Sequence, residues 1–263
     1  MVLRSPQKPL VVTDLDGTLL DHDDYLSDEA LPLLERLATL RIPVIANTSK
    51  TRAEWLAMRG GFSNEAAFVI ENGSAIFFPD GESLILGSTR DEINAVLDEI
   101  RSDYQFKTFL DLGVSGIISH TGLPEEDAQR AGEREFSEPL VWQDDDQKKA
   151  AFCEEIARRG LVTLEGGRFL HVLGKTDKGR ALEILRERYG ADCIIALGDS
   201  PNDIAMLEQS DIACVIATTR SEPLAVDAPR VLRSTKRGPS GWAELMAPLL
   251  DELFSTHTLS SHG

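Results

Sequence analysis

Near its N-terminus the chain reads Leu10-Val11-Val12-Thr13-Asp14-Leu15-Asp16-Gly17-Thr18. The run Leu10–Thr13 is apolar and β-branched, without polar alternation. That is the pattern of a strand buried on both faces, as in a parallel sheet. Two carboxylates and a glycine follow at once. Ligands of an open α/β sheet bind beyond the carboxyl ends of its strands, so Asp14 and Asp16 stand where chemistry is expected. Two carboxylates this close repel each other, and a divalent cation that favours oxygen ligands, such as Mg²⁺, would relieve that repulsion. Gly17 allows a sharp turn. An Asp-rich turn without a ligand is the plain alternative. A calcium loop fits less well, because Gly17 comes too early and Leu19-Leu20 stand at positions such loops fill with polar residues.

Outward from this strand, helix and strand patterns alternate. A helix is predicted over Asp28–Leu40, with Leu31, Leu34, Leu37 and Ala38 on one face and Pro32 near its start. Ile42–Ala46 reads as a strand, Asn47–Thr51 as a polar turn, and a helix begins near Ala53. Phe68–Ile70 and Ser74–Phe78 flank Glu71-Asn72-Gly73, a hairpin signal. Toward the other end, Asp177–Tyr189 and Pro201–Glu208 read as helices, Cys193–Leu197 and Ile212–Ile216 as strands. A last helix is predicted over Trp242–Phe254 after a turn at Gly238–Gly241, with a frayed tail at Ser255–Gly263. The alternation predicts an α/β domain with a doubly wound, mostly parallel sheet.

The middle reads differently. Thr89-x-x-Glu92 is a capping box before Ile93, Val96, Leu97 and Ile100. Pro124 opens a helix through Glu133. Asp145–Arg159 is another helix, and Asp144-Asp145-Asp146 suits its start through the helix dipole. Leu161–Leu164 and Phe169–Leu173 flank Glu165-Gly166-Gly167, a second hairpin signal. The expected organisation is a core in two parts, residues 1–87 and 172–263, with an α+β insert at 88–171.

The net charge of −17 over 263 residues repels phosphate backbones and anionic lipid. A small anionic substrate held by a local basic pocket or a metal remains compatible with it. Cys153, Cys193 and Cys214 stand far apart, without a disulfide or zinc-ligand spacing, and are expected to be buried thiols in a reducing compartment. No apolar run reaches about 18 residues. The expectation is a cytoplasmic protein with no nucleic-acid, membrane or obligate protein partner.

Three further stretches carry chemistry. Gly198-Asp199-Ser200-Pro201-Asn202-Asp203 follows a strand, so Asp199 can face the same end of the sheet, with Asp203 one helical turn on. Capping by Asp199 or Ser200 is compatible with ligation. Asn47-Thr48-Ser49-Lys50 places hydroxyls beside a helix start, suited to phosphoryl oxygens or to simple capping. Gly174-Lys175-Thr176-Asp177-Lys178-Gly179 puts a lysine at a helix start, unfavourable for the dipole unless it neutralises a bound anion.

In chain order, Asp14-x-Asp16-Gly17-Thr18, Thr48, Lys178 and Gly198-Asp199-x-x-Asn202-Asp203 resemble the four-part pattern of the haloacid dehalogenase superfamily, across nearly the whole length. The insert between Thr48 and Lys178 is similar to the C2B cap of the Cof-like subgroup. A narrower set resembles the mannosyl-3-phosphoglycerate phosphatases. It comprises Asn47–Arg52, Glu71-Asn72-Gly73, Arg134-Glu135-Phe136-Ser137-Glu138-Pro139, Gly167-Arg168-Phe169, Asp177-Lys178-Gly179 and Gly238-Pro239-x-Gly241-Trp242.

The resemblance implies a Rossmann-like core with an inserted cap and Mg²⁺-dependent hydrolysis of a small-molecule phosphate monoester, mannosyl-3-phosphoglycerate foremost. It implies Asp14 as nucleophile and Asp16 as general acid and base. Mg²⁺ would be held by Asp14, the Asp16 carbonyl and Asp199. Thr48 and Lys178 would bind phosphoryl oxygens, and Asn202 and Asp203 would support the metal shell and Lys178. Ser49, Lys50, Arg134, Glu135 and Lys175 are the substrate-binding candidates. For Arg134 the alternative is a helix-surface pair with Glu138. His171 has no place in this chemistry and is expected to be packed or solvated. A phosphatase or phosphomutase for another sugar phosphate is the alternative within enzymes. A phospho-accepting receiver module is disfavoured by Asp16 and by the insert, and an idle binding protein by the complete motif set.

Overall fold

The computed structural model describes residues 8–21, 29–61, 66–166, 168–219 and 223–254. The chain opens with β1 (Pro9–Thr13), α1 (Leu31–Thr39), β2 (Val44–Asn47), α2 (Arg52–Met58), β3 (Phe68–Ile70), β4 (Ala75–Phe77) and β5 (Ser83–Ile85). Next come α3 (Arg90–Ile100), β6 (Phe106–Thr108), α4 (Phe109–Thr121), α5 (Glu125–Gly132), β7 (Ser137–Trp142), α6 (Asp146–Arg158), β8 (Leu161–Gly166) and β9 (Phe169–Gly174). It closes with α7 (Arg180–Tyr189), β10 (Cys193–Gly198), α8 (Ile204–Glu208), β11 (Ile212–Ala217), β12 (Val231–Arg237) and α9 (Gly238–Phe254). The expected helix start at Asp28, the hairpin residue Gly167 and the tail Ser255–Gly263 lie outside the described residues.

The larger sheet has eight strands in the order β12-β11-β10-β1-β2-β3-β4-β5, parallel through β3 and antiparallel at β4 and β5. Alternate residues of a strand point to opposite faces. Val11 accordingly packs with Leu34 and Leu37 of α1 and Met246 and Leu250 of α9. Leu10 and Val12 pack with Leu182 and Leu185 of α7 and Met206 of α8 on the other face. Helices on both faces make β1 the central buried strand, as its sequence requires, and the doubly wound α/β expectation holds.

The smaller sheet is antiparallel, in the order β6-β7-β9-β8. Leu140, Leu170 and Val172 pack on one face against Ile93 and Leu97 of α3 and Phe152 and Ile156 of α6. The capping box read at Thr89 is present, Thr89 and Glu92 bonding reciprocally, and the acidic start of α6 is capped by Asp145, which accepts from Lys148 N–H. The two connections between the sheets run side by side. A Cβ at Gly174 would lie 2.1 Å from the Ser88 nitrogen, so only glycine allows that approach.

Several elements depart from the expectations. The turn expected at Gly238–Gly241 is the first turn of α9. Proline without its N–H is tolerated there, and Gly241 packs so closely that a Cβ would meet Lys236 O at 2.2 Å. The helix expected over Pro201–Glu208 is a 3-10 turn at Pro201–Asp203 followed by α8. Cys193 and Cys214 are buried free thiols, but Cys153 on α6 is only half-buried. Among the described residues no helix is long and apolar enough to cross a membrane.

Candidate active site

Register brings the chemistry together. Thr13 lies opposite Leu197 of β10 and Ala46 of β2, so Asp14, Thr48 and Asp199 all leave the sheet at one end. Asp14 N–H donates to Leu197 O at 2.9 Å. Thr13 Oγ1 donates to Asp14 O and accepts from Trp242 Nε1, which ties the end of β1 to α9.

At the centre, Lys178 Nζ donates to Asp14 Oδ1 at 2.5 Å and to Asp203 Oδ1 at 2.7 Å. All three side chains are buried, and Lys178 is only 1% exposed. Burial works against the Lys178 charge, yet Asp14 and Asp203 outweigh it and hold the ammonium protonated. Burial pushes the Asp14 carboxyl well above the usual carboxylate range; Asp203 and Asp16 act in the same direction and Lys178 against it. Asp203 Oδ2 accepts from Asp199 N–H, Ser200 N–H and Ser200 Oγ, each at 3.0 Å. Asp203 is therefore satisfied by donors on both oxygens and fixes the loop that carries Asp199.

Asp199 Oδ1 accepts from Thr18 Oγ1 at 3.0 Å. Gly17 (φ +83°) passes so close that a Cβ would lie 2.9 Å from Asp199 Oδ2. One carboxylate oxygen from each of Asp14, Asp199 and Asp203 falls within 4.8 Å of the others. Three carboxylates around one ammonium leave an excess of negative charge, and an all-oxygen donor set fits a hard divalent cation. A metal ion is thus chemically accommodated here.

Asp16 lies at the mouth of the site, its side chain 43% exposed, with Oδ1 2.9 Å from Lys50 Nζ. Thr48 Oγ1 accepts from Lys50 N–H, and Thr48 is fully buried. Asn202 Nδ2 donates to Asn72 Oδ1 at 3.0 Å. A cleft of about 310 Å³ between α2 and α5 is lined by Lys50, Glu54, Met58, Asp127 and Arg130. A second, of about 260 Å³, lies between β8 and the Pro201–Asn202 turn, against Asn72 and Lys178.

The remaining sequence candidates are spread out. Arg134 lies in the turn between α5 and β7. Its Nη1 donates to Ser49 O and Ser137 Oγ, both at 3.1 Å, and its Nε is buried without a hydrogen-bond partner. The helix-surface pair of Arg134 with Glu138 does not exist, because the chain is extended there. Glu138 on β7 is fully buried and paired with Arg90 of α3 instead. Glu135 contributes its N–H to Glu71 Oε1 at 2.9 Å. Lys175 is exposed. His171 is packed, and burial first, with Arg134 second, lowers its pKa to about 3.

Sequence reasoning missed Glu71. It is fully buried, it accepts from three donors of the segment 135–137, and only the acid in front of Asn-Gly hinted at it.

The family model described as haloacid dehalogenase-like hydrolase matches residues 11–153 and 124–236. A glucosyl-3-phosphoglycerate/mannosyl-3-phosphoglycerate phosphatase of Persephonella marina is 36% identical over 265 residues, covering 93% of this chain and 98% of its own. A protein of the same name from Methanococcoides burtonii is 35% identical over 268 residues, covering 92% and 97%. The crystal structure of a haloacid dehalogenase-like hydrolase from Bacteroides thetaiotaomicron shares the fold at a TM-score of 0.68 and 17% identity, covering 92% of this chain and 100% of its own. The chain belongs to the haloacid dehalogenase-like hydrolases.

Proposed function

We propose that this chain is a Mg²⁺-dependent phosphatase that hydrolyses a glycosyl-3-phosphoglycerate, mannosyl-3-phosphoglycerate first, through a phosphoryl group carried on Asp14. The observation that carries the chemistry is the pairing of a buried carboxylate held by one lysine with a second carboxylate, Asp16, two residues away at the mouth of the site. The substrate class rests on the names of the two relatives.

Lys178 grips Asp14 Oδ1 and leaves Oδ2 as the attacking atom. An Asp14–phosphorus bond forms as the ester oxygen–phosphorus bond breaks, and Asp16 gives its proton to the departing alkoxide. Asp16 then takes a proton from water, whose oxygen displaces Asp14 and releases phosphate. Thr48 and Lys178 orient the phosphoryl oxygens and offset their charge. Asp14, the Asp16 carbonyl and Asp199 would hold Mg²⁺, which shields an anionic nucleophile from an anionic phosphoryl group. Asn202 and Asp203 position that loop and Lys178 rather than ligate.

Residues 88–171 act as the cap, and 1–87 with 172–263 as the core. The leaving group departs on the Asp16 side, where Lys50 reaches from Asp16 into the cleft walled by Arg130 and Asp127. Lys50 is the best placed of the five substrate candidates for a carboxylate there. Ser49 and Glu135 enter through their backbones, Arg134 braces the seam, and Lys175 acts at the rim. The free cysteines fit a cytoplasmic location.

The test is phosphate release with Mg²⁺ from mannosyl- and glucosyl-3-phosphoglycerate, beside 3-phosphoglycerate and mannose 1- and 6-phosphates, with Asp14→Asn as control. Preference for the glycosyl esters, lost in the control, is the expected result. Turnover of the other esters alone would overturn the substrate, and conversion of mannose 1-phosphate to the 6-phosphate would make the protein a mutase.

A further inference from the structure

The nucleophile is closed off. Asp14 is 5% exposed and Lys178 1%. The turn Glu71-Asn72-Gly73 joins the loops around them to the 88–171 unit. It runs through three consecutive left-handed conformations, φ +48°, +60° and +88°. Such backbone is unfavourable for Glu71, though tolerated by Asn72 and Gly73, and at Glu71 it persists where the surroundings enforce it. Gly73 admits no substitute, since a Cβ would lie 2.0 Å from Asp177 O.

This one turn touches the 88–171 unit, both loops of the site and the return connection. The Glu71 carboxylate accepts from Glu135 N–H at 2.9 Å, Phe136 N–H at 3.2 Å and Ser137 Oγ at 2.5 Å, all in the 88–171 unit. Arg134 Nη1 stands 3.9 Å away. Asn72 N–H donates to Thr48 O at 2.9 Å, and Asn72 Oδ1 accepts from Asn202 Nδ2 at 3.0 Å. Gly73 O accepts from Thr176 Oγ1 at 2.8 Å, in the return connection.

We propose that Glu71 is a positioning residue that couples docking of the 88–171 unit to the alignment of the Thr48 and Asp199–Asp203 loops, with Asn72 as the link. A buried carboxylate is tolerated only when donors replace its water. Docking of segment 135–137 supplies those donors and holds the turn in its left-handed form. That form presents Asn72 to Thr48 and Asn202. Undocked, Glu71 faces water, the turn relaxes, and the two loops lose a shared brace. The inference rests on the phosphatase reading for its kinetic readout but not for its exchange readout.

The experiment compares wild type, Glu71→Gln and Ser137→Ala as full chains with Mg²⁺. Ser137→Ala removes one donor without changing charge and keeps the test readable if Glu71→Gln misfolds. Hydrogen exchange is followed at the Glu135 and Phe136 amides and at the Asp199 and Ser200 amides, with β1 and β10 as internal standards. The expected result is faster exchange in both loops together, unchanged standards, and a ten- to hundredfold drop in kcat for p-nitrophenyl phosphate as well as for the glycosyl ester, in line with the cost of small misplacements. Adding Asn72→Ser to either variant is expected to cost nothing further. Faster exchange at 135–136 alone, an unchanged kcat, or additive losses would overturn the coupling. If wild type turns over only p-nitrophenyl phosphate, the glycosyl reading fails while the coupling is still measured. If it turns over nothing, the phosphatase reading fails and the paired exchange decides.

Discussion

His171 makes acid sensitivity calculable. It lies on β9 between Pro139 of β7 and Leu164 of β8, is 9% exposed, and its Nδ1 is buried without a partner. Burial and the neighbouring Arg134 guanidinium lower its pKa to about 3. In the unfolded chain it titrates near 6.5. The folded pKa is the lower one, so between the two values the unfolded state binds more protons, and stability falls as pH drops below about 6.5. Integrated from about pH 8 to about pH 5, this single group removes about 2 kcal/mol, since each pH unit below the unfolded value costs about 1.4 kcal/mol. His171→Leu abolishes the titration and the orphaned nitrogen together. Urea unfolding of both proteins at about pH 8 and about pH 5 isolates the effect, because carboxylates common to both cancel. The variant is expected to match or exceed wild-type stability at about pH 8 and to lose about 2 kcal/mol less on acidification. Equal losses in the two proteins would refute the reasoning.

Other consequences follow from the same geometry. Arg90→Met leaves Glu138 buried without its cation and is expected to cost about 3–5 kcal/mol in thermal or urea unfolding, most of it recovered by adding Glu138→Leu. Chelation is expected to abolish phosphate release, with Mg²⁺ restoring it, and to raise the midpoint of unfolding on re-addition by mass action. Lys178→Met is expected to lower phosphate release at least about a hundredfold, since it removes the charge between Asp14 and Asp203 and, on the proposed mechanism, a contact to the phosphoryl group.

The parts legible in the sequence were those whose cause is local. Leu10–Thr13 and Cys193–Leu197 are buried on both faces and read as such, and the acids just beyond them needed no long-range information to be placed at one end of the sheet. Thr89 declared its helix by capping, and Asp144-Asp145-Asp146 declared the start of α6 through the helix dipole. What stayed hidden depends on distant partners. β7 contains Glu138 and Pro139 and resembles no strand until Arg90, 48 residues earlier, neutralises the acid. β12 is a partly exposed edge strand rich in Arg and Lys, without an apolar face to announce it. α4 is interrupted at Gly113, whose φ of +59° and ψ of −177° break the period. Arg134 read as a substrate-binding cation or a helix-surface partner of Glu138, whereas the fold gives it Ser49 O and Ser137 Oγ. Glu71 looked like a turn residue because its three donors lie more than 60 positions away.

The central claim is that the phosphoryl group passes through Asp14, and it is open to direct observation. On the proposed mechanism Asp16→Asn removes both the acid for an alkoxide leaving group and the base for water, so an ester whose leaving group needs no proton still phosphorylates Asp14 while the second displacement stalls. Rapid acid quench of this variant with p-nitrophenyl phosphate and Mg²⁺, followed by peptide mass spectrometry, reads the acceptor. A phosphoryl adduct on Asp14, absent in the double variant with Asp14→Asn, is the expected result. No adduct, with phosphate still released at an undiminished rate after Asp14→Asn, would contradict it.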